Sequence, residues 1–429
     1  TNLSASANLD DGSIALSWTA SDAPDVTGYR VYRGTSADFD TTGASIATVA
    51  PGTTTFTDDT VTASQTHRYR VFTTDNDEQT SASSNEVTTI LYPQEITYSA
   101  TRSFGQGSRQ QDYRLISLPG DVDTDIAETF SGTAGEDWQV YRDNGNAQDF
   151  LVEFDGSNAF TFQAGRGFWA IANDTWTVEE TVATVSLRTS SDGAFVDIPL
   201  SGGWNIISNP LDLDVAWSEV EAANGGALQP IWSFDGSFSE ASTFASATSG
   251  EAYYFNNTGN LGGLVIPYSA GQQASANASK DPSAYLALTA TLADGPDAGT
   301  TSKVEAGVSR DAADGVDAAD IIAPPPGFEA VSLLVSSGDA AAGARQRLLK
   351  RSVQSPDADG HAYDLDLRAE PGTTVELRAS NLPSGQSVRL INRVTGESVD
   401  LASQAQTEWT VRSENTALTL LTGTEAFVK

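Results

Sequence analysis

Apolar and polar residues alternate in short runs along most of this chain. Residues 14–18 (Ile-Ala-Leu-Ser-Trp), 29–32 (Tyr-Arg-Val-Tyr) and 69–72 (Tyr-Arg-Val-Phe) set the pattern. A period of two sends successive side chains to opposite faces of a strand, so each run predicts a half-buried strand. Gly, Asp, Asn and Thr break the runs about every 8 to 12 residues, the punctuation of sandwiches and barrels. Helical periodicity is confined to two short stretches, 215–223 and 340–350. The pattern predicts an all-β chain built of tandem β-sandwich modules.

At 429 residues the chain exceeds one hydrophobic core, so two to four domains are expected. In the first 92 residues, Ile14 to Trp18 reads as a core strand ending on Trp. Residues 28–33 (Gly-Tyr-Arg-Val-Tyr-Arg), 66–72 (Thr-His-Arg-Tyr-Arg-Val-Phe) and 84–88 (Ser-Asn-Glu-Val-Thr) read as later strands. In this order and over this length the segment resembles a fibronectin type III domain, with Tyr69 as its corner tyrosine. The resemblance implies a fold and no specific activity. No Arg-Gly-Asp tripeptide occurs, so the integrin-binding version is not implied.

Residues 93–270 carry an internal repeat. Tyr113-Arg-Leu-Ile-Ser-Leu-Pro119 echoes Trp204-Asn-Ile-Ile-Ser-Asn-Pro210, and an acidic step follows each. A Trp strand comes next, with Trp138 matched to Trp232. A Gly-led aromatic strand follows, Gly165-Arg-Gly-Phe-Trp169 in one copy and Gly250-Glu-Ala-Tyr-Tyr-Phe255 in the other. Two copies, at about 113–180 and 204–268, predict a duplicated β unit related by a pseudo-two-fold axis. The region looks like those of large exported proteins of Bacteroidetes and their halophilic relatives. An Ala, Gln, Ser and Asn linker from Ser269 to Lys280 marks the next boundary. Residues 281–429 read as a further β-sandwich-like domain. Its Asp-Gly-x-Asp-x-x-Asp run at 314–320 and Leu-Pro-x-Gly at 382–385 are similar to the domain that precedes the sorting domain of type IX-exported proteins. That resemblance implies a sorting domain missing beyond Lys429. Thr1 at the start and the absence of Met read as a processed or excised piece.

Composition sharpens this picture. Asp and Glu number 57 against 23 Lys and Arg, a formal charge of −34, and only Lys280, Lys303, Lys350 and Lys429 are lysines. Such a surface repels phosphate backbones, so nucleic acid is not an expected partner. At molar salt the screening length falls to about 3 Å and self-repulsion fades, which points to a salt-adapted, extracellular or cell-surface protein. No apolar run is long enough to span a bilayer. With no cysteine, disulfides and thiolate chemistry are excluded.

Catalysis is not expected. His67 and His361 are the only histidines, and they read as an edge residue and a solvated turn residue in different modules. No nucleophile elbow or phosphate loop occurs. Calcium is the candidate cofactor, because clustered hard oxygens suit it. Its candidate ligands are Asp121, Asp123 and Asp125 in one acidic step, and Asp311, Asp314, Asp317 and Asp320 in another. Trp176 and Trp217 have no repeat-matched counterpart, so they are the candidates for an exposed sugar-binding face. The expected function is a non-catalytic structural or interaction segment: a spacer, adhesion or fibre-assembly piece whose partners are protein, polysaccharide or other copies of itself. The alternative is a set of polysaccharide-binding accessory modules of a larger secreted hydrolase.

Overall fold

The computed structural model describes residues 2–8, 11–77, 79–105, 109–146, 149–190, 193–268, 285–313, 315–338 and 347–429. The first module has seven strands: β1 (Leu3–Asn8), β2 (Ser13–Trp18), β3 (Gly28–Gly34), β4 (Ala47–Val49), β5 (Thr55–Asp58), β6 (Gln65–Thr74) and β7 (Val87–Leu91). They pair antiparallel as β1-β2-β5 and β4-β3-β6-β7, a fibronectin type III-like sandwich. The alternating residues Ile14, Leu16, Trp18, Tyr29, Val31, Tyr69 and Val71 fill the space between the sheets. The Tyr69 hydroxyl donates to the buried Asp58 carboxylate at 2.9 Å, not to a backbone carbonyl as in the corner motif. His67 is buried on β6, its Nε2 3.0 Å from the Thr62 carbonyl, because its strand position faces inward rather than to the edge. His361 is likewise buried and holds Gln354 at 3.1 Å.

The middle region repeats one topology twice. The first copy comprises β8 (Glu95–Arg102), β9 (Arg114–Ile116), β10 (Asp123–Asp125), α1 (Ile126–Thr129), β11 (Trp138–Asp143), β12 (Leu151–Glu153), β13 (Thr161–Gln163), β14 (Phe168–Ala172) and β15 (Trp176–Ala183). An extra strand, β16 (Arg188–Ser190), precedes the second. That copy comprises β17 (Gly193–Pro199), β18 (Gly203–Ile207), β19 (Val215–Ala216), α2 (Trp217–Ala223), β20 (Ile231–Phe234), β21 (Phe238–Ala241), β22 (Thr243–Phe244), β23 (Tyr253–Asn257) and β24 (Gly263–Pro267). The sheets correspond strand for strand: β12-β11-β14-β9 with β21-β20-β23-β18, β8-β15 with β17-β24, and β10-β13 with β19-β22. Helix α2 falls within the predicted stretch 215–223. In the other stretch, 340–346 lie outside the described residues and 348–350 belong to the strand Leu348–Gln354.

Register corrects one detail of the repeat. Tyr141 pairs with Trp169, and Trp232 pairs with Tyr254. Since Trp169 and Tyr254 are equivalent, Trp232 corresponds to Tyr141, not to Trp138. The consequence is a change of face. Trp138 points into the interior of the first copy, whereas Trp232 points to the opposite side of its sheet.

From residue 285 onward, eleven strands form one connected sheet among the described residues. Only the Thr301–Val308 and Leu348–Gln354 pair is parallel; the others are antiparallel. Each middle copy keeps its own apolar core on one face of its four-stranded sheet. The opposite faces, with Leu115, Trp169, Trp204, Ile206, Trp232 and Tyr254, merge with the interior of the last domain into one continuous cluster. Phe328 makes the join. It stacks on Trp169 with centroids 4.1 Å apart at 20°, and meets Tyr113 edge-on at 5.2 Å. Polar ties surround it. Arg109 bonds Asp297 at 2.6 Å, and the Gln229 amide donates to the Asp320 carbonyl and accepts from the Ile322 amide. These two regions are therefore not stacked as independent beads.

Candidate functional site

The residues singled out in the sequence do not converge. Trp176 is 2% exposed and Trp217 is 6% exposed, so neither offers a face to a sugar ring. Trp176 lies between Phe130 and Phe162, and its Nε1 donates to Thr129 Oγ1 at 3.0 Å. Trp217 begins α2 and packs edge-on against Phe244 and Phe255. Each has ring partners from other elements, which is why it looked unpartnered.

The acidic steps are built into backbone turns. Asp125 caps α1, its Oδ1 accepting from the Ala127 amide at 2.9 Å. Asp123 lies on β10, and Asp121 precedes it in an exposed position. In the second step, Asp317 accepts from the Ala313 and Ala319 amides, and buried Asp320 accepts from those of Asp317 and Val353. Burial raises the Asp320 pKa, and the two backbone hydrogen bonds offset this in part. Asp311 is exposed and Asp314 lies outside the described residues. Among the described residues no three His, Asp or Glu side chains gather as a metal cluster.

The most organised polar locus is instead the seam between the two copies. Ser117 and Ser208 are equivalent, and their buried hydroxyls meet at 2.7 Å on the pseudo-two-fold axis. Around them the backbone bonds obey the same symmetry. The Ser117 amide donates to the Gly250 carbonyl, and the Ser208 amide donates to the Gly165 carbonyl, both at 3.1 Å. Gly165 and Gly250 have φ of 80° and 79°, a left-handed turn that glycine adopts without steric cost. The equivalent pair Trp169 and Tyr254 also touch, Trp169 Nε1 donating to the Tyr254 hydroxyl at 3.2 Å.

Beside this seam a cleft of about 380 Å³ opens between residues 163–168 of the first copy and the segment 199–207 of the second, which runs into β18. Arg142, Arg166, Gln163 and Trp204 line it. Sequence reasoning missed these residues. The available signal was a charge reversal within the repeat: Arg166 sits inside a repeated motif where the other copy has Glu251. A second cleft, of about 400 Å³, lies between the 110–111 turn and the last domain, walled by Asp294, Asp297, Glu370 and Glu414. No described helix is long and apolar enough to cross a membrane.

No protein-family model matches the chain, and no curated protein matches it. Solved structures align with a fifth of it or, at low identity, with nearly all of it. A pectate lyase from Erwinia chrysanthemi in complex with tetragalacturonic acid is 30% identical, over 20% of this chain and 27% of that one, with a TM-score of 0.18. An Fn3-like protein from Clostridium thermocellum is 28% identical, over 21% of this chain and 88% of that one, with a TM-score of 0.18. An α-L-rhamnosidase from Dictyoglumus thermophilum aligns with 99% of this chain and 47% of its own at 9% identity and a TM-score of 0.19. The chain thus spans about a quarter of the length of the lyase it matches.

Proposed function

We propose that this chain is a non-catalytic interaction segment of a secreted or cell-surface protein, adapted to high salt. The observation that carries the reading is the shared core. A duplicated unit and a large β domain, joined through Phe328, make a broad rigid body rather than a string of loose spacers. Such a body presents clefts at its seams, where ligand sites commonly form. The charge of −34 keeps copies apart at low salt and lets them approach when it is screened.

A second reading, a polysaccharide-binding accessory module, is favoured by the arginine-lined cleft between the copies. Retention of the whole chain on insoluble polysaccharides and on immobilised copies of itself, in molar NaCl, tests both. Saturable retention on either surface without release of reducing ends supports the interaction reading. Release of sugar products by the chain alone, or retention on neither surface, contradicts it.

A further inference from the structure

The cleft at the repeat seam holds two guanidinium groups in an otherwise strongly acidic molecule. Arg33, Arg68, Arg70, Arg102, Arg109 and Arg114 each lie within salt-bridge distance of a carboxylate. Among the described residues, no ion pair involves Arg142 or Arg166. Arg142 rises from β11 with its guanidinium 5.8 Å from the Phe160 ring, and its buried Nε has no hydrogen-bond partner. Arg166 is fixed through its backbone, its amide donating to Gln163 and its carbonyl accepting from Ser117 Oγ. Arg166 remains exposed, yet partial desolvation by its surroundings, and then the like charge of Arg142, lower its guanidinium pKa.

Trp204, 3% exposed, adds an apolar wall to the same space. Two carboxylates lie nearby. Asp143 is engaged by the Tyr254 hydroxyl at 2.9 Å and the Gly145 amide at 2.8 Å, and Asp155 is exposed, its pKa lowered chiefly by Ser157 and in smaller part by the Arg142 charge. Neither closes an ion pair with the two arginines.

We propose that this cleft binds a compact carboxylate ligand of the sugar-acid class, its carboxylate bridging Arg142 and Arg166. A guanidinium fork matches a carboxylate in two-point geometry, and an anion between two like charges relieves their repulsion. The exposed Gln163 carboxamide supplies a donor and an acceptor for hydroxyls, while Pro199, Leu200 and Ala164 give apolar walls for the C–H face of a ring. The size lies within the range of small-ligand sites, about 300–1,000 Å³. A long polyanion is disfavoured by the field of −34 charges around the cleft, so the ligand is a single sugar acid or a chain end.

The proposal rests on the interaction reading and adds the ligand class. It is tested by calorimetric titration of the intact chain with glucuronate, and with glucose, acetate and inorganic sulfate as separate arms. Glucuronate is expected to bind, and Arg142→Gln or Arg166→Gln to weaken it about tenfold, as expected for one lost charge-assisted bond. Arg412→Gln, far along the chain, should leave it unchanged. Thermal melts of each variant show whether the fold is kept; Arg166, with its exposed side chain, is the variant least able to disturb it. Equal binding of glucose would remove the anion from the account, equal binding of acetate or sulfate would remove the sugar, and no heat in any arm would remove the site. If glucuronate fails while retention on polysaccharide or on self persists, the cleft assignment falls and the interaction reading stands.

Discussion

The first module and the rest of the chain solve the same problem in opposite ways. The fibronectin-like sandwich closes on itself, with a core drawn from its own seven strands. It meets the second copy through a small patch, where Tyr92 packs on Tyr268 at 5.8 Å and Ser64 donates to Asp212 at 2.6 Å. The duplicated region and the last domain instead use both faces of the repeat sheets, one for each copy's interior and one for a core held in common. Strand alternation serves both. What differs is whether the outward set of side chains is polar or aromatic. A stretch that reads as a module in sequence is an independent unit only when its outer face is polar.

The largest effects should break the common core. Phe328→Ala removes the ring stacked on Trp169 and is expected to cost about 3–5 kcal/mol. Denaturant unfolding read by regional hydrogen exchange should show the loss in both 95–268 and 285–429, with 11–77 unchanged. Trp18→Ala, which removes a ring packed on Tyr29, should cost a similar amount but confine it to the first module. At the seam, Ser208→Ala leaves Ser117 one partner fewer and should cost about 1–2 kcal/mol, measured as a shift in the chemical midpoint.

Smaller effects sharpen the contrast through pH. Burial pushes the Asp58 carboxyl up, but hydrogen bonds from Thr60, Tyr69 and Arg33 together outweigh it and leave its pKa below the ordinary value. A carboxyl lowered in the folded state contributes stability above its unfolded pKa and loses it as pH falls through the folded value. Acid should therefore loosen the sandwich below about pH 4. Tyr69→Phe, by removing one of those donors, should move that loss to higher pH and cost about 1 kcal/mol at neutrality. A pH series of melting curves for the two proteins checks the shift. The smallest change is expected from Ser64→Ala at the junction, below about 1 kcal/mol, because its bond to Asp212 is only partly buried.

Much of the architecture was legible in the residues. Alternation around Ile14, Leu16 and Trp18 located the first sandwich, and the repeated Ile-Ser-x-Pro found the duplication. The outer strands β8 and β17 were missed, since each pairs with a partner far along the chain and no local pattern announces that pairing. The match of Trp138 with Trp232 failed by three positions, because identical residue types suggested an alignment that backbone register decides. Phe328 lies in a Pro- and Gly-rich loop without periodicity, so nothing local marks it as a core residue. Burial of Trp176 and Trp217 was hidden for a related reason: their ring partners come from other elements. Arg142 and Arg166 lie 24 positions apart, and only the folded turn carrying Gly165 brings both to one cleft.

Native-state hydrogen exchange of the intact chain across a denaturant series tests the common core most directly. One shared opening curve is expected for the protected amides of 95–268 and 285–429, with a separate curve for 11–77. Distinct curves for 95–268 and 285–429, opening at different denaturant concentrations, would contradict it.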